Sequence, residues 1–289
     1  MSVIRTRRAI IRGAASGLLS AISARHLRAE SRYEKLLKWI VFYGVDAPES
    51  LLAKYDIVIL DYRYKGAVKN IISAGSKVCG YISLGEINSS DPVFTDLDRN
   101  ALLERNPNWT GTYRVDVRHP AWQALVLEKQ IPGIISSGFN GLMFDTLDTP
   151  PFLERSDVNR YRGMSAAAIK LVAKIRSRWP DLMLISNRGY AILPDIVLDV
   201  DAIIAESLLS APDNDSDGFS WVDQKQVELQ LSLLEPAKVR RDPLPILSLD
   251  YWDPNDLKTV AEIYRKERAL GHHPYVAPRL LNQIIAEPN

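Results

Sequence analysis

Short apolar runs alternate with helix-period stretches along most of this chain, and few folds accommodate that alternation. The runs occupy 39–43, 57–60, 77–83, 141–144, 182–187, 202–205, 244–249 and, more weakly, 274–277. Each is too short and too apolar for a surface helix, and reads as a strand buried on both faces. Helical periods separate them. Over 164–179, Ile169, Val172, Ala173 and Ile175 recur at helical spacing until Pro180 stops the pattern. Further helices are predicted at 51–55, 66–74, 120–129, from Pro132 to near Gly138, at 222–234 and at 255–270. Strand–helix alternation builds a parallel sheet from βα units. Eight units in about 250 residues predict an α/β fold of one domain over 31–289, a closed (β/α)8 TIM barrel. No glycine-rich phosphate fingerprint follows any run, which argues against a dinucleotide-binding open sheet. The connection over 87–118 reads as a polar loop without regular structure of its own. Its Trp109 suits either sugar stacking or a plug in the barrel wall.

The strands of such a barrel end at a common mouth. The residues at or just past the run ends are Tyr43, Asp61, Glu86, Asp145, Asn187, Glu206 and Asp250. Five of these are acids. Carboxylates crowded in one cleft repel, so some take up protons while others stay ionised, which is the condition for acid–base work. Asp145 closes the run after Gly138-Phe139-Asn140, where Gly138 is predicted to end a helix with positive φ. Asp145 or Asp148 alternatively caps the following helix. The four histidines are His26, His119, His272 and His273, and none closes a run, so neither a metal nor another cofactor is expected. No Gly-x-Ser-x-Gly elbow surrounds Ser83 or Ser207, and no run ends on lysine. Carboxylate-pair chemistry remains, with glycoside hydrolysis first. A formal net charge of +1 gives no sign of a nucleic-acid partner. The single cysteine, Cys79, excludes an internal disulfide and reads as a buried small hydrophobe.

Residues 1–29 contain no acid but include Arg5, Arg7, Arg8, Arg12, Arg25 and Arg28. Thr6-Arg7-Arg8-Ala9-Ile10-Ile11-Arg12 is similar to a twin-arginine export motif, and an uncharged stretch follows. Residues 1–30 are therefore expected to be an export leader, taking the protein to the periplasm or the exterior. A mitochondrial-type presequence or a plain basic arm stays open, and with it an organellar or cytoplasmic location. No run of about 18 uncharged apolar residues occurs, so stable membrane insertion is not expected.

Several motifs in the same order resemble glycoside hydrolase family 114. They are Gly80-Tyr81-Ile82-Ser83-Leu84-Gly85-Glu86, Val115-Asp116-Val117-Arg118, the stretch from Gly138 through Asp145 to Asp148, Ser186-Asn187-Arg188-Gly189, Ala205-Glu206-Ser207 and Leu249-Asp250-Tyr251. The resemblance covers roughly residues 39–282. That family contains endo-α-1,4-polygalactosaminidases and related bacterial proteins on a TIM barrel. The resemblance implies a polysaccharide or oligosaccharide substrate, with Asp145 as nucleophile or stabiliser and Glu206 as general acid/base. It places Tyr43, Asp61, Tyr81, Glu86, Asp148, Asn187, Asp250 and Tyr251 in the sugar subsites. A galactosamine polymer carries ammonium groups, which an acidic mouth attracts.

Each residue also has a structural alternative. Asp61 and Asp250 can cap helices or hold Arg63, Arg188 or Arg279. Tyr43 and Tyr81 can be core aromatics. Asn187 can satisfy loop backbone, and Asp148 can cap a helix or hold Arg188. Glu86 is harder to assign a purely structural role, because Gly85 before it, a poor strand residue, points to close packing at the mouth. A carbohydrate-binding barrel without catalysis and a metal-dependent hydrolase using the same acids are the rival functions.

Overall fold

The computed structural model of the protein describes residues 36–213, 216–239 and 242–288. The expected leader over 1–30 lies outside the described residues. One compact unit spans Leu37–Asn289. In chain order its strands are β1 (Trp39–Phe42), β2 (Ile57–Leu60), β3 (Lys77–Ser83), β4 (Glu86–Asn88), β5 (Leu102–Arg105), β6 (Thr112–Val115) and β7 (Gly141–Asp145). They continue as β8 (Met183–Asn187), β9 (Ala202–Glu206), β10 (Ser210–Pro212), β11 (Phe219–Trp221), β12 (Ile246–Tyr251) and β13 (His273–Ala277).

Eight of these form one sheet in the order β1-β2-β3-β7-β8-β9-β12-β13, every pair parallel. Helices lie between successive strands, so the fold is a (β/α)8 barrel. At the seam, side chains join the two ends. Trp39 Nε1 donates to the His273 carbonyl at 2.7 Å, and the Trp39 and Tyr275 rings meet edge-on at 5.9 Å. β1, β2 and β12 are buried along their whole length, as strands covered on both faces must be. Cys79 is buried and free. Among the described residues no helix is long and apolar enough to cross a membrane.

Two local expectations change. The stretch 87–118 is not a structureless loop: β4, β6 and β5 pair as a three-stranded antiparallel sheet. Its strands are only three or four residues long, too short to announce themselves among Pro, Asn and Asp. Trp109, between β5 and β6, is 68% exposed and plugs no wall. The helix Pro120–Leu125 does not stop before Pro132 but runs through a π-turn, Val126–Gln130, into the helix Ile131–Ser136. A proline ring clashes with the carbonyl four residues earlier in a regular helix, and a wider π-turn relieves that clash. In Met164–Arg178 the buried face is Met164, Ala168, Leu171, Val172 and Ile175, one position away from the predicted Ile169 and Ala173.

Candidate active site

Five neighbouring barrel strands each send one polar side chain into a single hydrogen-bonded relay. Tyr81 (β3) donates its hydroxyl to Asp145 Oδ2 (β7) at 2.9 Å. Asn187 (β8) donates through Nδ2 to Asp145 Oδ1 at 3.0 Å and to Glu206 Oε2 (β9) at 2.6 Å. Tyr251 (β12) donates to Glu206 Oε1 at 2.6 Å. Donor and acceptor thus alternate along the order β3-β7-β8-β9-β12. Because two carboxylates flank it, the Asn187 amide must turn its nitrogen toward them. Its Oδ1 is left buried and without a partner. Two oxygens on one nitrogen can be no further apart than the two bonds laid end to end, about 5.6 Å.

The two carboxyl groups differ in environment. Burial first, and then the charge of Asp145, push Glu206 above the usual carboxylate range. The bonds from Tyr251 and Asn187 and the charge of Arg188 draw it partly back. Tyr43 stands edge-on to Tyr81 at 5.4 Å. Burial, followed by the charges of Asp145, Glu206 and Asp61, holds its phenol well above the ordinary value. Tyr81 and Tyr251 are raised by burial in the same way, so both remain neutral donors. Removing the Tyr251 hydroxyl in Tyr251→Phe deletes a bond to the charged form of Glu206. The Glu206 pKa then rises further, and the alkaline limb of the pH–rate profile is expected to move to higher pH.

The chain leaves three of these strands in the same unusual way. Thr146, Arg188 and Ser207 follow Asp145, Asn187 and Glu206, and adopt φ of 61°, 49° and 54°. Left-handed backbone at non-glycine residues costs on the order of 1 kcal/mol each, so local bonds must hold it. Arg188 N bonds Ile204 O at 3.0 Å and Ser207 N bonds Leu249 O at 2.8 Å. Thr146 Oγ1 lies 2.8 Å from Ser83 Oγ and accepts from Gly85 N at 2.8 Å. A Cβ on Gly85 would run into the Thr146 carbonyl oxygen, so the expected close packing there has a concrete cause. Sequence reasoning missed Thr146, since threonine does not signal positive φ, and weighed its partner Ser83 only as a nucleophile.

The remaining expected residues sit elsewhere. Asp61 takes Arg63 bidentately, with Oδ2 2.6 Å from Nη2, and its field still reaches Tyr43. Asp148 does not cap its helix; it accepts Gly189 N at 3.1 Å and faces Arg188 Nε at 3.6 Å, tying together the turns after β7 and β8. Glu86 does not open on solvent, although its charge reaches Tyr81. It is 5% exposed and accepts both Asn106 Nδ2, at 3.0 and 2.9 Å, and Thr149 Oγ1 at 2.8 Å. It fastens the antiparallel sheet to the helix after β7. Asp250 does not open on the mouth either. It is wholly buried on the opposite face of β12 from Tyr251, as alternation along a strand requires. Among the described residues, no three His, Cys, Asp or Glu side chains are arranged to hold a metal ion.

Two bridged carboxylates at the carboxyl ends of a parallel eight-stranded barrel are an arrangement that glycoside hydrolases of the barrel class use. The sequence profile of glycoside-hydrolase family GH114 matches residues 23–287, and the chain belongs to that family. An uncharacterized protein of Methanocaldococcus jannaschii is 23% identical over 283 residues, covering 88% of this chain and 80% of that one. The glycoside hydrolase domain of PelA from Pseudomonas aeruginosa superposes with a TM-score of 0.77 at 22% identity, over 86% of this chain and 98% of that one. Ega3 of Aspergillus fumigatus, solved in complex with galactosamine, has a TM-score of 0.65 at 14% identity, over 87% and 95%. These structural likenesses bear on the fold.

Proposed function

We propose that the protein is an endo-acting glycosidase that cleaves α-linked, galactosamine-containing polysaccharide with retention of configuration. The observation that carries this is the relay, which holds one carboxyl raised by burial within about 5.6 Å of a second. Glu206 protonates the glycosidic oxygen as Asp145 attacks the anomeric carbon, and the sugar–oxygen bond breaks. The freed Glu206 carboxylate then takes a proton from water, which displaces Asp145. Retaining pairs stand about 5–5.5 Å apart and inverting pairs about 6.5–9.5 Å, so the spacing favours retention. The galactosamine bound to Ega3 and the acids of the mouth support an amino-sugar substrate. The basic segment over 1–29 is in keeping with export.

The test is a digest of partly deacetylated galactosamine polymer beside chitosan and a neutral galactan, with products sized by mass spectrometry. Internal cleavage of the first, with the α-anomer appearing first by proton NMR, is expected. Products from none of the three leave a carbohydrate-binding barrel; a β-anomer first overturns retention.

A further inference from the structure

A second cluster of ionisable groups lies behind β12, away from the mouth. Asp250 and Glu267 are 0% exposed and His272 is 2% exposed. Glu267 sits on the helix Leu257–Ala269, and His272 follows that helix. His272 Nδ1 is 2.6 Å from Glu267 Oε2. Asp250 Oδ1 accepts the backbone N–H groups of Leu209 at 2.8 Å and Ser210 at 2.7 Å. The Asp250 and Glu267 carboxyl groups are in hydrogen-bonding contact. If both were ionised, Asp250 Oδ2 and Glu267 Oε1 would face each other with no proton between them. Two carboxylates buried in contact do not both ionise, and a proton shared between them turns repulsion into a hydrogen bond. The other groups facing the cluster are Ser248 on β12, Ser210 on β10, Lys238, His273 and the Tyr190 phenol. Lys238 is engaged with Glu235 at 3.4 Å. Burial first, then the neighbouring carboxyl, holds Asp250 well above the carboxylate range, and burial also raises Glu267. Burial and then Lys238 lower His272 to about 4, so its Nδ1–H donates from a neutral ring.

This cluster touches the active site through the chain that carries Glu206. The two amides held by Asp250 lie just past Glu206, after Ser207 with its φ of 54°. On the other face of β12, Tyr251 donates to Glu206 itself. One strand therefore grips Glu206 directly from the mouth and its following turn from behind. We propose that Asp250, Glu267 and His272 form a proton-sharing positioning unit that fixes the turn over 207–210 and, through it, the carboxyl group of Glu206. The proposal rests on the reading of Glu206 as acid/base.

The test compares Glu267→Leu, Glu267→Gln and Asp250→Asn by hydrogen exchange over residues 207–212, by kinetics and by Tm against pH. Leucine strands both Asp250 Oδ2 and the His272 Nδ1–H. Exchange is expected to quicken and kcat to fall about tenfold each, with KM within about twofold. Glutamine donates to Asp250 and accepts from His272 without a titrating proton. It is expected to restore protection and kcat. Asparagine at 250 keeps an acceptor for both amides and a donor to Glu267, and behaves like wild type at neutral pH. The wild-type pair holds protons that the unfolded chain releases above about pH 4, so its stability contribution is lost as pH rises through the raised values. That decline in Tm flattens in Glu267→Gln. Unchanged exchange in Glu267→Leu overturns the proposal. So does a Gln variant that recovers neither protection nor kcat while keeping the wild-type slope of Tm on pH. If Leu fails to fold, the Gln and Asn variants decide by the same exchange and slope measurements. Exchange does not depend on what Glu206 does. Full activity in Glu206→Gln would sink the acid/base reading alone.

Discussion

Asp145→Asn is expected to lower kcat on the cleaved polymer by at least about a thousandfold, equivalent to roughly 4 kcal/mol of transition-state stabilisation. An amide does not form the covalent bond to the anomeric carbon, and it carries no charge to stabilise the oxocarbenium-like centre. KM should change little, because the substitution keeps shape and hydrogen bonding. The new amide can turn its oxygen toward Asn187 Nδ2 and its nitrogen toward Tyr81, whose hydroxyl rotates to accept. Folding should therefore survive, and circular dichroism with steady-state kinetics separates chemistry from stability. A second readout is specific to the pair. The Asp145 charge helps to hold Glu206 above its ordinary value. Removing it lowers the Glu206 pKa, so the alkaline limb of whatever activity remains moves to lower pH. A residual profile that keeps the wild-type limb would show that the two carboxyl groups do not sense each other.

The barrel was legible because its strands are buried on both faces. Runs such as 57–60 and 202–205 are apolar throughout, and helices of the right period separate them. The same property hid which strand-end residue faces inward. A half-exposed strand advertises its register by alternation, whereas one covered on both sides does not. Asp250 and Tyr251 are adjacent, and nothing in Leu249-Asp250-Tyr251 says that tyrosine turns to the mouth while aspartate turns to the helix behind. Glu86 misled for a related reason. It follows β3 but opens β4, and its carboxylate is taken up by Asn106 and Thr149. The left-handed exits at Thr146, Arg188 and Ser207 left no trace, since the bonds that hold them come from distant residues such as Gly85, Ile204 and Leu249. What the sequence did place in one region, namely Tyr43, Tyr81, Asp145, Asn187, Glu206 and Tyr251, came from spacing and family resemblance together. The relay that links five of them required coordinates.

Glu206→Gln should cost about a hundredfold to ten-thousandfold in kcat on a polymer, the span expected for loss of a general acid. The size of the loss should depend on the leaving group. A sugar alkoxide departs poorly without a proton, so the polymer suffers most. An aryl glycoside with an acidic phenol departs unaided and should lose far less in the first step. Its second step still lacks a base to activate water, so the glycosyl-enzyme accumulates and a burst of phenol appears. Azide, which needs no deprotonation, should restore turnover and yield a glycosyl azide of retained configuration. The pH dependence should change as well. In the wild type Glu206 must be protonated to begin the reaction, so the rate falls as pH rises through its raised value. The Gln variant carries no such proton, and its alkaline limb should vanish. Tyr251 and Asn187 can serve the amide as they serve the carboxylate, the tyrosine hydroxyl reversing to accept from Nε2. A loss equal for aryl and sugar leaving groups, with no azide rescue, would remove Glu206 from the acid/base role.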